Sequence, residues 1–145
     1  MVPLGRREKL EKKLRKGGLA QLNARGLEII AERNRYYDEE EPFLFGVSRF
    51  TAEDSEAWYQ DRRRQIEEAE AKGEDTWHIT MRDDGESRLP PTSTRVKIFA
   101  GRTYHVLRAR CAGHWNYRKQ PGQCLVLDPV SGREVYLPRH FVEAI

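Results

Sequence analysis

The clearest fold signal in the sequence is its final stretch, Arg133-Glu-Val-Tyr-Leu-Pro-Arg-His-Phe-Val-Glu-Ala-Ile145. Val135 and Leu137 alternate with polar neighbours, which predicts a short strand with one apolar face. Pro138 has a fixed φ and no amide donor, so it suits the end of a strand and the start of a single helical turn. A closing strand is expected from Phe141 to Ile145. Strand, proline turn and strand are how a small closed barrel ends, and such barrels bind other molecules more often than they catalyse reactions.

The residues ahead of this stretch also have the period of strands. Trp77, Ile79 and Met81 alternate with polar residues and predict a strand. Further strands are expected over residues 95–100, 103–110 and 123–128, with turns between them. Residues 76–145 are therefore predicted to fold as one small β-barrel.

The first 75 residues predict a helical region. Helices are expected over residues 6–16, 19–37 and 52–72, and the last is opened by the capping box Thr51-Ala-Glu-Asp54. Phe43, Phe45 and Val47 alternate and indicate a candidate strand over residues 43–49. The predicted fold class is α+β, a helical N-terminal region (residues 1–75) followed by a C-terminal barrel (residues 76–145).

Charge is distributed unevenly along the 145 residues, whose net charge is +3. Residues 1–36 carry 10 Lys/Arg and 4 Asp/Glu, residues 37–94 carry 7 and 16, and residues 95–145 carry 9 and 3. Such blocks either pair within the fold, as in a self-associating structural protein, or face partners of opposite charge. There is no apolar run of membrane-spanning length and no signal-peptide core, and two cysteines make no disulfide framework. We therefore expect a cytoplasmic protein with no membrane partner.

Three segments together resemble a barrel of the Src-homology-3 (SH3) type. They are Phe99-Ala-Gly-Arg-Thr-Tyr-His-Val-Leu107, Gly113-His-Trp115 and the stretch from Ser131 to Ile145. That family ends in a strand leading to a proline, a one-turn helix, an aromatic residue and Val-Glu. The resemblance implies an SH3-like barrel with binding-groove positions at Trp115, Pro138 and Phe141. It equally implies a prokaryotic type of barrel, similar to modules that bind nucleic acid or transcription proteins.

The loop from His114 to Lys119 is the leading candidate site. Trp115 and Tyr117 offer aromatic faces, and Arg118 and Lys119 add cations. This mixture suits a protein interface, and it also suits a single nucleic-acid strand. The structural alternative is that the two rings fold inward and pin the loop. Arg139, on the terminal turn, extends the candidate surface.

A basic N-terminal arm is the second candidate site. Its cations are expected to contact phosphate groups, and they are Arg6, Arg7, Lys12, Lys13, Arg15 and Lys16. Glu8 and Glu11 interleave with them, so a solvated helix kept soluble by its charge is the alternative.

The sequence offers no pattern for catalysis. It lacks a phosphate-cradling glycine loop, a Gly-x-Ser-x-Gly elbow and a His-Glu-x-x-His motif. The cysteines and histidines do not have a familiar zinc spacing. We therefore expect no enzyme activity, cofactor or metal. The leading expectation is a non-enzymatic adaptor or regulator that binds another protein through its barrel and its basic helical arm. The alternative is a nucleic-acid-binding protein that uses its basic termini and the loop over residues 114–119.

Overall fold

The computed structural model describes residues 13–37, 40–113 and 122–145. Within these ranges the strands are β1 (Leu19–Leu22), β2 (Phe43–Arg49), β3 (Ser93–Phe99), β4 (Tyr104–Cys111), β5 (Gln123–Leu127), β6 (Glu134–Pro138) and β7 (Val142–Ala144). The helices are α1 (Ala24–Asn34), α2 (Ala52–Ala71) and α3 (Trp77–Thr80), with a 3₁₀ turn (Arg139–Phe141) between β6 and β7.

The chain divides into two compact units. The first contains the described residues up to Ser48 and from Arg95 onward, and the second is Arg49–Thr94. The second unit carries α2 and α3, and in sequence it is an insertion into the first. Its two ends meet, because the amide of Phe50 donates to the carbonyl of Thr92 with the nitrogen and oxygen 2.9 Å apart. The boundary expected after residue 75 falls inside this second unit.

The seven strands form one sheet in the order β3-β2-β6-β5-β4-β1-β7. The pair Val126↔Val135 exemplifies the antiparallel register between β5 and β6. Because β3 and β7 lie at opposite edges, the sheet is open within the described residues, and the predicted SH3-like barrel is wrong. The physical reason is that β2, which lies outside the segment predicted as a barrel, pairs with β6 through Val47↔Tyr136 and also with β3, so the sheet extends at this side and β3 forms its edge.

The predicted helical N-terminal region is corrected as well. Residues 19–22 form β1, which pairs with both β4 and β7, because this register buries Ala20 and Leu22. The helix begins only at Ala24, where the Asn23 side chain accepts a hydrogen bond from the Gly26 amide at 3.0 Å. That bond satisfies an amide that the first helical turn leaves unpaired. The described end of the first predicted helix, residues 13–16, is not helical, and residues 6–12 lie outside the described ranges.

The strand predicted at Trp77 is a helical turn instead. The Asp75 side chain accepts a hydrogen bond from the Trp77 amide at 3.0 Å and so starts the turn. The Thr76 carbonyl then accepts from the amides of Ile79 and Thr80. Ile79 is the buried residue of this turn, so the alternating pattern did not reflect a strand with one apolar face.

Three sequence predictions about local structure are confirmed. The final stretch forms a strand, a one-turn helix after Pro138 and a closing strand. The capping box is present, because the Thr51 hydroxyl accepts from the Asp54 amide at 3.1 Å and the Asp54 carboxylate accepts from the Thr51 amide at 2.8 Å. The candidate strand over residues 43–49 is β2.

The arginine run over residues 62–64 is largely engaged within α2. Arg64 forms ion pairs with Asp61 at 2.6 Å and with Glu68 at 2.9 Å. The hydrogen bond from Arg64 lowers the pKa of the Asp61 carboxyl group. The Arg62 guanidinium lies 4.8 Å from the centre of the Trp58 ring. These contacts favour a helix-stabilising role for Arg62 and Arg64.

The core of the first unit lies on one face of the sheet. Its most deeply buried side chains are Ile98, Tyr104, Val106, Cys124, Val126, Val135 and Leu137. Gly46 of β2 faces this core, because a Cβ built there would lie 2.3 Å from Cγ1 of Val135. Since successive strand residues point to opposite faces, Phe43 and Phe45 of β2 lie on the other side of the sheet.

Burial of the Cys124 thiol gives the protein a pH-dependent stability. Burial raises the pKa of Cys124 to about 11. A pKa raised by folding adds stability that is fully present below the unfolded-state value and is lost as the pH rises through the folded-state value. We expect the difference in unfolding free energy, wild type minus Cys124→Ala, to decrease by about 1–2 kcal/mol between about pH 8 and pH 10.

Urea denaturation of both proteins across this pH range measures the difference. The comparison isolates Cys124, because Tyr104, whose pKa burial also raises, is present in both proteins. A difference in unfolding free energy that does not change with pH would contradict the prediction.

Candidate functional site

The face of β2 and β3 opposite the core collects aromatic rings and cations. Phe43 and Phe45 alternate with the core-facing Leu44 and Gly46 on β2. Alternation on β3 places its outward residues on the same side, because Ile98 faces the core. Residues from the end of α1 and from the turn after β3 complete the set. We call it the cation–aromatic face, and its members are Arg33, Tyr37, Phe43, Phe45, Arg95, Lys97, Phe99 and Arg102.

Phe43 is the base of this face. It is only 4% exposed, and its ring centroid lies 5.1 Å from that of Phe45 and 5.9 Å from that of Phe99. The interplanar angles of 73° and 65° are edge-to-face, which is a preferred arrangement for aromatic pairs. Phe43 therefore fixes the positions of the two more accessible rings.

Arg33, in the last turn of α1, is surrounded by rings. Its guanidinium carbon lies 4.8 Å from the ring centroid of Tyr37, 4.6 Å from that of Phe43 and 4.8 Å from that of Phe45. Contacts between cations and ring faces at these distances are attractive. They hold the charge of Arg33 in one place and join the end of α1 to β2.

Arg95 and Lys97 occupy successive outward positions on β3, and both are exposed. The Arg95 guanidinium carbon lies 5.4 Å from the Phe45 centroid, and the Lys97 ammonium nitrogen lies 4.7 Å from the Phe43 centroid. Two strand residues separate their backbones by about 6.6 Å. Among the described residues, neither side chain forms an ion pair with a carboxylate. Their charges are therefore available to an anionic ligand.

Arg102 is the fourth cation of the face and is partly neutralised. Its guanidinium carbon lies 4.2 Å from the Phe99 centroid, and its Nη2 lies 3.4 Å from Oε1 of Glu41. Both side chains of this ion pair retain solvent exposure, so the pair contributes little to stability. Glu41 instead reduces the positive charge of the face.

The arrangement can bind anions without large reorganisation. An arginine stacked on a ring keeps its N–H groups directed outward, where they match the oxygens of a phosphate or carboxylate.

The net charge of the first unit adds to the positive charge of this face. The chain up to Ser48 and from Arg95 onward carries 19 Lys/Arg and 11 Asp/Glu, a net charge of +8, against 7 and 12, or −5, in Arg49–Thr94.

The structure places only part of the predicted site. Outside the described ranges lie Arg6, Arg7, Lys12, Trp115, Tyr117, Arg118 and Lys119. Of the basic arm, Lys13 and Arg15 line a cavity of about 280 Å³ together with Leu19 and Ile145. Lys16 is exposed. The described part of the arm is therefore near the β1–β7 edge, a position that its sequence did not indicate.

Pro138, Arg139 and Phe141 come together in the 3₁₀ turn, where they support the fold. Pro138 is the residue before the turn, and the Arg139 amide donates to the carbonyl of Gly122 at 3.0 Å. The Phe141 side chain packs against the core, and its carbonyl accepts from the Asn23 amide at 2.9 Å. These contacts give Pro138 and Phe141 a role in the fold, whereas the Arg139 side chain has a buried Nε without a hydrogen-bond partner among the described residues.

Sequence reasoning did not find the cation–aromatic face, although part of its signal is visible. Arg95, Lys97 and Phe99 alternate with apolar residues just as Phe43 and Phe45 do. The pairing of β2 with β3 brings the two rows together across an insertion of more than forty residues. A pattern within a short segment cannot predict the pairing of two strands that are so far apart in the sequence.

Comparison with known proteins yields no relative: no protein-family model, curated protein or solved structure matches the chain. Within the part of the chain that the structure describes, no helix is long and apolar enough to cross a membrane. The same residues contain no group of three or more His, Cys, Asp or Glu side chains that could hold a metal ion.

Proposed function

We propose that the protein binds nucleic acid through the cation–aromatic face. The observation that carries this proposal is the pair Arg95 and Lys97, held beside Phe45 and Phe43 at successive outward positions of β3. A row of exposed cations along a strand suits a ligand whose negative charges repeat, and the phosphate backbone is such a ligand. The net charge of +8 in the first unit supports the approach of a polyanion.

The protein-binding function expected from the sequence is the second candidate function. The groove that the resemblance implies consists of Trp115, Pro138 and Phe141. The last two are engaged in the closing turn, and Trp115 lies outside the described residues. No described contact therefore favours an adaptor over a nucleic-acid-binding protein. Two free cysteines agree with the cytoplasmic location that is part of the proposal.

Neutralising the β3 cations is expected to weaken binding. The double variant Arg95→Gln/Lys97→Gln should bind a mixed-sequence oligonucleotide about 10- to 30-fold more weakly, because two charge-assisted phosphate contacts are lost. Fluorescence anisotropy between about 50 and 200 mM salt gives both the affinity and its salt dependence. The slope of log K against log salt should become shallower by about 1.4 for a single strand.

The matched control is Arg63→Gln/Lys72→Gln, which makes the same change in net charge at two exposed positions of the second unit. It should alter the affinity less than twofold. Glu41→Gln should act in the opposite direction and strengthen binding, because it releases Arg102 from its ion pair. Equal losses in both double variants would show a general charge effect and exclude this face. Absence of wild-type binding at about 50 mM salt would exclude nucleic-acid binding altogether.

A further inference from the structure

Building on the proposed function, we propose that the cation–aromatic face takes nucleic acid in single-stranded form, with unpaired bases stacked on Tyr37 and Phe45. These rings remain accessible although they touch cations: Tyr37 is 57% exposed and Phe45 is 37% exposed. Phe43 beneath them is 4% exposed and serves as their support. The face therefore presents ring surface as well as charge.

The interleaving of rings and cations distinguishes a single strand from a duplex. A duplex turns its phosphates outward and keeps its base faces stacked on one another, so it uses the cations and leaves the exposed rings without a partner. A single strand offers a base and a phosphate at every nucleotide. Each cation of the face lies 4.2–5.4 Å from at least one ring centroid, so both kinds of contact are available within one nucleotide.

The geometry is also set before a ligand arrives. Arg33 contacts the rings of both Tyr37 and Phe45, so the two stacking surfaces are tied to one guanidinium and to each other. Phe45 is further held by its edge-to-face contact with Phe43. Because the rings are already positioned, a strand that binds them loses little free energy to ordering of the protein. Stacking on aromatic side chains is tolerant of sequence, so we expect little base specificity.

Three probes of about 16 nucleotides separate stacking from phosphate binding. They are a mixed-sequence single strand, the same strand annealed to its complement, and an abasic strand with the same number of phosphates. The wild-type protein should bind the single strand about tenfold or more tightly than the other two at about 100 mM salt. The comparison is made with deoxyribose strands, and the first two probes are repeated as ribose strands. A preference for the single strand in the deoxyribose series supports the proposal, and the ribose series measures whether the same preference holds for RNA.

Substitution of Tyr37 locates the stacking. Tyr37→Ala should weaken binding of the single strand about tenfold and leave binding of the abasic strand unchanged, whereas Tyr37→Phe should retain wild-type affinity for both. Tyr36→Ala is the matched control, because Tyr36 is adjacent and 81% exposed, and its ring has no cation contact among the described residues. It should bind both probes like the wild type.

The outcomes separate this inference from the proposed function. If the abasic strand or the duplex binds as tightly as the single strand, the stacking inference is overturned while phosphate binding by the face stands. The stacking inference is also overturned if Tyr37→Ala binds the single strand like the wild type. If no probe binds at about 50 mM salt, the inference and the proposed function fail together.

Discussion

Replacing Gly46 by alanine should destabilise the first unit by about 3 kcal/mol or more, because the added methyl group has no space. A Cβ at this position lies 2.3 Å from Val135 Cγ1, 3.1 Å from Leu137 Cδ2 and 3.3 Å from Ile98 Cγ1. All three neighbours are among the most deeply buried side chains, so none can move aside without disturbing the core. Thermal unfolding should show a decrease in Tm of about 10 °C.

Gly122→Ala is the control for this substitution. Among the described residues no atom lies within 4 Å of a Cβ at Gly122, and its φ is not in the left-handed region. We expect a change within about 0.5 kcal/mol. If both alanine variants unfold at the temperature of the wild type, the close approach of β2 to the β6 side chains is not as the structure describes.

Removal of the Tyr104 side chain should have the second large effect. Tyr104 is 2% exposed, and its hydroxyl accepts a hydrogen bond from the Phe99 amide at 3.2 Å. Tyr104→Ala should cost about 3–5 kcal/mol, because it leaves a cavity in the core. Tyr104→Phe should cost about 1–3 kcal/mol, because it removes only the partner of the Phe99 amide. Urea denaturation of both variants measures the two contributions separately.

Tyr59→Ala provides the comparison for a tyrosine that is exposed, since Tyr59 is accessible on α2. It should change the unfolding free energy by less than about 0.5 kcal/mol. A Tyr104→Phe variant as unstable as Tyr104→Ala would assign the whole effect to the hydroxyl. A Tyr104→Phe variant as stable as the wild type would show that the Phe99 amide finds another partner and that β3 does not depend on this bond.

Local signals in the sequence predicted local structure well. Pro138 predicted the position of the final turn correctly, because its ring fixes the φ angle at that residue. Thr51 and Asp54 predicted the start of α2 correctly, because the two hydrogen bonds of a capping box are enough to begin a helix. Trp77 to Met81 misled the prediction, because five residues with alternating polarity also fit a single helical turn. Leu19 to Leu22 were wrongly predicted to be helical. They form a strand, because pairing with two strands that are distant in sequence determines their conformation.

The candidate site was harder to predict than the elements that form it. The sequence indicated β2 and the strand containing Arg95, but it assigned the function to aromatic and basic residues that are consecutive in the chain. The cation–aromatic face instead assembles Arg33, Phe45 and Lys97 from three separate segments. Its contacts depend on strand order, which is set by the packing of the whole unit and not by any short segment.

The hydrogen bond between Phe50 and Thr92 bears on how the protein is made. Residues 49–94 are synthesised before most of β3 and all of β4 to β7, and the contacts within α2 are local. This segment can therefore fold on the ribosome while β2 still lacks both of its sheet partners, β3 and β6. β2 joins the rest of the sheet only when β6 has emerged to pair with it. The two ends of the inserted segment lie next to each other. Insertions and deletions within the segment therefore leave the distance between the end of β2 and the start of β3 unchanged, and they can accumulate without disturbing the sheet.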